Sequence, residues 1–159
     1  MAKKKTADDW IPPVGFYFRV DFQRGSEHFK ISFMEISGLE MSFGTKKMPN
    51  PNTVSVSMPN HITFSNITLK RPIAALSDSY TQWINDSFVY LEGKTREIKT
   101  YDMVIKLLNK DGKPLAGWLA RHTYPIKWNL DPMNAMENNI SKESIEMACN
   151  SLKRLTNIR

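Results

Sequence analysis

The sequence has one cysteine, Cys149, among 159 residues. A single thiol excludes an internal disulfide, and a chain of this length can bury a core without such crosslinks. The sequence also lacks any apolar run close to the roughly 20 residues that a membrane-spanning helix needs. With 41% hydrophobic and 24% charged residues, the composition is that of a globular domain. We therefore expect one domain with no membrane span.

An apolar segment is missing after the basic start of the chain. Lys3, Lys4 and Lys5 resemble the positive end of a secretory signal, but polar residues follow them. The sequence thus predicts a flexible N-terminal arm over residues 1–11, one domain over residues 12–159 and no signal peptide. It predicts assembly in the cytoplasm.

The motifs of the common enzyme classes are missing as well. His28, His61 and His122 lie in different predicted elements and share no metal-ligand spacing with Cys149 or with a pair of carboxylates. There is no glycine-rich phosphate loop and no nucleophile elbow. Pairs of acids exist, but any chain with 16 carboxylates offers such pairs. The sequence predicts no catalytic residue, no metal site and no cofactor, and hence no enzyme.

The net charge is +6 at neutral pH, and the lysines and arginines concentrate partly at the two ends. Basic residues beside aromatic ones, as in Phe18-Arg19, are typical of a basic single-strand nucleic-acid-binding β-domain, which is the alternative function from a different class. The aromatic residues of this stretch, however, fall on the face opposite Arg19, which favours a core. The candidate core residues here are Phe16, Phe18, Val20 and Phe22.

Alternation of apolar and polar residues predicts strands over most of the chain. The first strand pairs with a second that begins at Phe29 and continues through Met34 to Ile36. The clearest hairpin covers residues 103–128, where Asp111-Gly112 supplies the turn. Pro125 should stop regular pairing, and residues 126–128 should resume as an edge or kinked continuation. Its candidate core residues are Ile105, Leu107 and Trp118.

One segment has the period of a helix. Apolar residues recur at helical spacing from Leu76 to Phe88, and Ser77 or Asp78 can cap the start. The sequence predicts a short flanking helix over about residues 78–88, with Trp83 and Ile84 in the core. Residues 140–155 fit a strand and a helix equally well, so the local pattern leaves both open.

Residues 41–60 form an unusual segment that is rich in proline and asparagine. It is much longer than the usual connection of about 4 to 6 residues in a compact domain. Either it is a mobile surface loop or it is a projecting β-arm that contacts another subunit, and its apolar residues favour the arm. The candidate contact residues are Met41, Phe43, Lys46, Lys47, Met48, Val54 and Val56.

Six short stretches then occur in order along the chain. They are PVGFYFRV (residues 13–20), FMEISGLE (33–40), ITLKR (67–71), WIND (83–86), LLNKDGKP (107–114) and YPIKW (124–128). In this order they resemble the tail-tube proteins of contractile phage tails and of phage-tail-like injection systems. The Hcp tube protein of type VI secretion is a more distant relative of this family.

The resemblance implies a mainly β fold of two packed antiparallel sheets, an Hcp-like β-barrel, with one helix beside it. It implies hexameric rings that stack into a hollow tube inside a contractile sheath, and it makes residues 142–149 a strand. The implied partners are other copies of the chain, a sheath protein, baseplate or spike proteins and a cargo in the lumen, with nucleic acid only as passing cargo in a phage. The particle would be a virion or an injection apparatus that can be released from the cell.

Two departures from the family pattern concern the role of the subunit. The arm carries Asn50-Pro51-Asn52 where relatives more often have glycine and charged residues, and Pro72 follows Arg71 where glycine is usual. These differences leave two roles open: the main repeating subunit, or a variant ring that initiates the tube beside the baseplate.

Overall fold

The computed structural model describes residues 15–50, 52–73, 78–90, 92–93, 97–137 and 140–158. The predicted arm over residues 1–11 lies outside these ranges. The described residues form ten strands and one helix: β1 (Tyr17–Arg24), β2 (Glu27–Phe33), β3 (Glu35–Ser37), β4 (Met41–Met48), β5 (Val56–Phe64), β6 (Ile67–Pro72), α1 (Ser79–Tyr90), β7 (Tyr101–Leu108), β8 (Pro114–Leu130), β9 (Lys142–Ala148) and β10 (Ser151–Arg154). Within this described part, α1 is the only helix, and no helix is long and apolar enough to cross a membrane.

Seven strands form one antiparallel path in the order β2-β1-β7-β8-β9-β6-β3, and an eighth strand, β10, pairs with β8 beside this path. The 17-residue β8 lies in the middle of this path and belongs to both halves, because its first part pairs with β7 and β10 and its last part with β9. The path therefore consists of a first sheet and a second sheet that share β8. Side chains from both sheets meet in one buried cluster, which confirms the predicted mainly β fold of two packed antiparallel sheets.

The predicted barrel is not closed within the single chain. The path ends at β2 and β3, which do not pair with each other among the described residues. The sequence predicted one strand running from Phe29 through Met34 to Ile36. Instead the chain leaves the first sheet at Met34, whose amide donates to the Lys70 carbonyl at 3.0 Å, and β3 joins β6 in the second sheet.

The bend of β8 lies at His122, which adopts a φ of 51°. The backbone amide of His122 donates a hydrogen bond to the Asp102 carboxylate at 2.9 Å. Pro125 was predicted to stop regular pairing, with Ile126 to Trp128 as an edge or kinked continuation, and β8 does continue beyond it, paired with β9 after a register shift between Pro125 and Lys127. Proline is tolerated here because it lies next to a β-bulge, where the ladder is locally disrupted.

The helix α1 packs its aromatic face into the core. Trp83 and Ile84 are buried, and the Trp83 ring lies 5.5 Å from that of Phe22 and 4.8 Å from that of Tyr101 between centroids. The helix begins one residue later and ends two residues later than predicted. Asp78 precedes it and accepts a hydrogen bond from the Gln82 amide through its carbonyl at 3.0 Å.

The predicted core residues have different environments. Val20, Phe22 and Ile105 are fully buried, whereas Phe18 and Trp118 are partly buried against the core. Phe16 is 50% exposed because it precedes β1 and lies outside the paired strands. Leu107 is only partly buried and Leu108 is buried instead, because the register between β7 and β8 shifts at this point.

The C-terminal part and the β7–β8 turn complete the fold. Residues 142–148 form β9, as the family resemblance implied, and β10 follows on the first sheet. In the turn, Gly112 has a φ of 75°, as its position predicted. The side chain that holds the turn is Asn109 and not Asp111: its Oδ1 accepts hydrogen bonds from the amides of Asp111 and Lys113 at 3.0 and 2.8 Å.

Candidate assembly surfaces

The β4–β5 hairpin is a separate two-stranded sheet. The hairpin is longer than the predicted arm over residues 41–60, because β5 runs on to Phe64 before β6 begins at Ile67. At its root the Ser65 amide donates to the Glu40 carbonyl at 3.1 Å, and the Glu40 amide donates to the Gly38 carbonyl at 2.8 Å. These bonds fix how the hairpin leaves the body.

Gly38 is required at this root. Its φ is +81°, and a Cβ at this position would overlap the carbonyl oxygen of Asn66. Glycine is the residue that adopts this backbone conformation without steric cost. The SGLE part of the FMEISGLE stretch thus positions the hairpin.

The register of the hairpin changes halfway along. From Met41↔Phe64 to Gly44↔His61 the pairing is regular, and beyond a β-bulge it continues from Thr45↔Pro59 to Met48↔Val56. Asn60 is the extra residue of β5. Because directly opposed residues of an antiparallel pair share a face, the bulge decides which side chains lie together on each side of the hairpin.

The large apolar side chains of the hairpin are exposed on both faces. The root face is the side of the hairpin, between its root and the bulge, that carries Met41, Phe43, Ile62 and Phe64. The opposite face beyond the bulge, which carries Met48, Val56 and Met58, is the tip face. Phe43 is 63% exposed and Met58 is 50% exposed, whereas Phe64 packs partly against the core.

Apart from Pro59, the remaining side chains of the two hairpin strands are polar or basic. Opposite the root face, the Ser42 and Thr63 hydroxyls are hydrogen-bonded at 2.7 Å, and the His61 ring lies against Gly44, where any Cβ would overlap it. Lys46 and Lys47 lie beyond the bulge and are exposed. Residues 41–64 include no aspartate or glutamate, so the hairpin is basic. Val54, in the connection between β4 and β5, is also exposed.

A second exposed apolar region follows the end of β8. It includes Ile126 and Trp128 on the strand and three residues in and just after the following loop: Met133, Met136 and Ile140. Several large exposed apolar side chains this close in the sequence make the segment a candidate interaction surface. Both this region and the hairpin are available for contacts between molecules.

An ionic cluster ties α1 to the second sheet. Arg71 donates from Nε to Glu143 Oε1 at 2.7 Å, forms an ion pair through Nη1 with Asp78 Oδ2 at 2.8 Å, and donates from Nη2 to Thr81 Oγ1 at 3.0 Å. Trp128 Nε1 donates to the other oxygen of Glu143 at 3.1 Å. The side chains of Arg71 and Glu143 are only 5% and 9% exposed. The cluster therefore holds elements together and is closed to a substrate.

Tyr80 packs against this cluster. The guanidinium carbon of Arg71 lies 4.5 Å from the centre of the Tyr80 ring, which is the geometry of a cation–π contact. Burial raises the pKa of Tyr80, and the nearby Arg71 charge partly opposes that effect. The phenol therefore stays neutral at physiological pH.

An open cavity of about 440 Å³ lies between β2, α1 and the start of β7. Tyr101 donates from its hydroxyl to Glu27 Oε2 at 2.7 Å on its wall. This hydrogen bond, with the Lys99 charge, lowers the pKa of Glu27. Burial, and then the same bond, raises the pKa of Tyr101 to about 12. Among the described residues, no group of three or more His, Cys, Asp or Glu side chains is placed to hold a metal ion.

The predicted contact residues are exposed, whereas the predicted core residues are buried or partly buried except Phe16. All seven candidate contact residues lie on the hairpin or its connection and are exposed. The sequence did not single out Met58 and Ile62, which share the hairpin faces, although their alternation with polar residues was visible. It also missed the Arg71 cluster, since no local pattern links residues 71, 78 and 143.

Comparisons with known proteins give one family and several structures of similar fold. The profile of the family described as T4-like virus tail tube protein gp19 matches residues 14–153. A search of curated proteins found no significant match.

Three solved structures illustrate the similarity of fold. The anti-feeding prophage (AFP) baseplate structure contains a chain with a TM-score of 0.72 and 21% identity, which covers 92% of this chain and 97% of that chain. The sheath-tube complex of the extracellular contractile injection system PVC in its extended state gives a TM-score of 0.72 and 23% identity, with coverage of 94% and 93%. Hcp1 from Flavobacterium johnsoniae gives a TM-score of 0.51 and 13% identity, with coverage of 85% and 93%.

Proposed function

The chain belongs to the T4-like virus tail tube protein gp19 family, and on that premise we propose that it is the inner-tube subunit of a contractile tail or injection system. In this proposal six copies form a ring, and rings stack into a hollow tube inside a contractile sheath. The family is one of structural tail tube proteins and not of enzymes. The family match over residues 14–153 carries the proposal.

The exposed surfaces support assembly. The hairpin exposes apolar residues on both faces, and β2 and β3 end the strand path with one edge each that is unpaired among the described residues. Unpaired edges are sites where another strand can add. In a ring, neighbouring copies would cover such edges, and cyclic pairing would close the set. The arm would then reach the adjacent ring.

The partners follow from the same proposal. One of the similar folds comes from a sheath-tube complex and others from a sheath/tube terminator, a tube-terminating cap and a baseplate. We propose that this chain likewise contacts a sheath protein along the tube and baseplate or spike proteins at its end, with cargo in the lumen. Assembly would take place in the cytoplasm, and the finished particle could then leave the cell.

Electron microscopy of the purified protein at high concentration tests this function. We expect rings with six-fold symmetry, some of them stacked. A species that remains strictly monomeric in analytical ultracentrifugation, alone and with its particle, would contradict the proposal.

A shortened arm tests the role of the hairpin. Deletion of residues 45–59 removes paired residues from both strands beyond the bulge and joins Gly44 to Asn60. We expect the thermal midpoint of the body to stay within a few degrees of wild type, and ring stacking to be lost. Unfolding of the variant would show that the arm is part of the core, and unimpaired stacking would show that the arm is not the contact.

A tube-initiating subunit would differ from the main tube subunit in its number of copies in each particle. The proline- and asparagine-rich arm is the feature that favours it, because it departs from the family pattern. A main tube subunit should be present in many copies for each baseplate, whereas an initiator should form one ring of six. Quantitative mass spectrometry of purified particles gives that ratio directly.

The nucleic-acid-binding alternative has less support. Phe22 of β1 is fully buried and stacks on Phe29 with 4.9 Å between ring centroids, so its ring is not available to a base. A titration with a single-stranded oligonucleotide at rising salt tests the alternative. Affinity that survives at high salt would favour base stacking, and loss of affinity would favour simple charge attraction.

A further inference from the structure

The side of the first sheet that is turned away from the core is rich in lysine and arginine. Residues on this side alternate with the core residues of the same strands. The carboxylates on this side are those of Asp21 and Asp102. We name this side the basic face, and its cations are Arg19, Lys30, Lys106, Arg121 and Lys153.

One row of paired residues crosses the basic face from edge to edge. In the order of the strands β2, β1, β7, β8 and β10, the row consists of Lys30, Asp21, Val104, Leu119 and Lys153. Neighbouring strands are about 4.8 Å apart, so the two lysines are separated by about 19 Å. Val104 and Leu119 lie between them and are only partly buried. The row therefore has an apolar centre and basic ends.

The Asp21 carboxylate is already compensated by the inner cations of the basic face. Its Oδ2 accepts a hydrogen bond from Lys106 Nζ at 3.1 Å, and its Oδ1 lies 3.8 Å from Arg19 Nε. The Asp21 side chain is only 8% exposed, so it has little contact with water. The outer cations of the face are exposed and form no ion pair among the described residues; these are Lys30, Arg121 and Lys153.

The outward side of the second sheet has a different arrangement of charge. There the register places Glu35 opposite Lys70 and Glu146 opposite Lys127. Opposite charges in directly facing positions of a sheet attract each other. The uncompensated positive charge is therefore a property of the basic face and is more than a general consequence of the net charge of +6.

The pattern of the basic face fits a protein segment with acidic residues. Protein interfaces typically combine an apolar centre with a polar rim, as the row from Lys30 to Lys153 does. Base stacking in a nucleic-acid complex would need aromatic rings at the centre, where Val104 and Leu119 lie instead. A second copy of the chain is disfavoured as the partner, because two basic faces repel each other.

We propose that the basic face docks an acidic segment of a partner protein. Apolar residues of the segment pack on Val104 and Leu119, and its carboxylates pair with Lys30, Arg121 and Lys153. A face about 19 Å wide accommodates one helix, whose diameter is about 10–12 Å, or a pair of strands. This inference goes beyond the tube function and does not depend on the formation of rings.

A titration with a designed peptide tests the role of charge. The probe is a fluorescein-labelled peptide with Leu-Val-Leu between two runs of glutamate, and fluorescence anisotropy gives its Kd for the purified protein. Salt at about 150 mM screens general attraction between charges. Combined substitution of the outer cations should raise the Kd at least about tenfold, because the carboxylates of the peptide lose their partners. This triple variant carries Lys30→Gln, Arg121→Gln and Lys153→Gln.

A second triple variant removes the same charge elsewhere and is the matched control. It carries Lys46→Gln, Lys110→Gln and Lys113→Gln, all at exposed positions outside the basic face. Its Kd should stay within about threefold of wild type. Equal weakening by the two triple variants would show that net charge alone attracts the peptide, and it would overturn the proposal. Absence of peptide binding by the wild-type protein would overturn it as well.

Val104→Thr tests the apolar centre and separates a protein partner from a nucleic acid. A hydroxyl group replaces a methyl group there, so the peptide should bind at least about threefold more weakly. The affinity for an oligothymidylate of equal charge should not change, and a thermal midpoint close to that of wild type checks the fold. Tighter binding of the oligothymidylate than of the peptide, with neither affected by Val104→Thr, would assign the face to nucleic acid and overturn the proposal.

Discussion

Arg71 concentrates several interactions in one side chain. Its guanidinium reaches two carboxylates, one hydroxyl and one aromatic ring, and it links β6, β9 and α1. Removal of one partner from a buried ionic cluster leaves the remaining charges without compensation. The cluster is thus a point at which one substitution should loosen the helix and the second sheet together.

We expect Arg71→Met to lower the free energy of unfolding by about 3–5 kcal/mol, because Glu143 then keeps a buried charge without its cation. Urea denaturation of the two proteins measures the difference. Lys70→Met is the matched control on the neighbouring residue, whose ion pair with Asp131 is 3.6 Å long and partly exposed. Its cost should be at most about 1 kcal/mol. Equal costs for the two variants would contradict the role given to the cluster.

Gly38→Ala should destabilise the protein by about 1–3 kcal/mol. The added methyl group meets the Asn66 carbonyl, and the positive φ is unfavourable for alanine. Gly93→Ala is the control, since Gly93 has a φ of +75° with nothing within 4 Å of an added Cβ. Thermal unfolding should show a larger loss at Gly38 than at Gly93, and the reverse order would mean that the close approach is not important.

At the scale of elements, β8 connects the two sheets. Its first part continues the first sheet and its last part pairs with β9 in the second sheet. The bend requires one residue, His122, to leave the extended conformation. Because β8 bends at His122 and takes part in both sheets, it connects them around the core without a loop at this point.

We expect His122→Val to destabilise the protein by about 1–2 kcal/mol, because a β-branched residue is unfavourable at positive φ. His122→Gly should change stability by less than about 1 kcal/mol, since glycine accepts this conformation at an entropic cost. The side chain is exposed, so lost packing does not explain a difference between the variants. Chemical denaturation measures both values, and equal losses would argue against strain at the bend.

At the scale of the whole molecule, folding stabilises the neutral form of Tyr101. Its pKa is raised to about 12 from an ordinary value of about 10. A raised pKa in the folded state means that the stabilisation is complete below about pH 10 and is lost as the pH rises toward 12. Global stability should therefore fall over this alkaline range.

Tyr101→Phe removes the titrating hydroxyl and should reduce the slope of stability against pH between about pH 10 and 12. The variant should also be less stable than wild type at neutral pH, because the bond to Glu27 is lost. Tyr17→Phe, on an exposed residue of β1, is the control. Urea midpoints of wild type and both variants at several pH values test this prediction. Parallel plots of stability against pH for wild type and Tyr101→Phe would contradict the raised pKa of Tyr101.

Local sequence patterns determined many of the strands, the helix and the β7–β8 turn of this protein. The alternation around Val20 and Ile105 predicted buried strands, the helical spacing around Trp83 predicted α1, and Gly112 predicted a turn. These features depend on neighbours within a few residues, where sequence period and backbone geometry are directly linked. The ordered motifs added the family and, with it, the strand assignment of β9.

Other features were decided by contacts between residues distant in the sequence. Pro125 did not end β8 because Ile126 is an extra residue of β8 without a partner in β9, after which pairing resumes. Arg71 became part of a buried cluster because β9 and α1 bring Glu143 and Asp78 to it. The β4–β5 hairpin shows most clearly what a local sequence pattern leaves undetermined. The sequence by itself determined that residues 56–64 alternate, but the bulge opposite Gly44/Thr45 decided which apolar residues share a face. A strand pattern gives alternation along one strand, whereas its register depends on the partner strand.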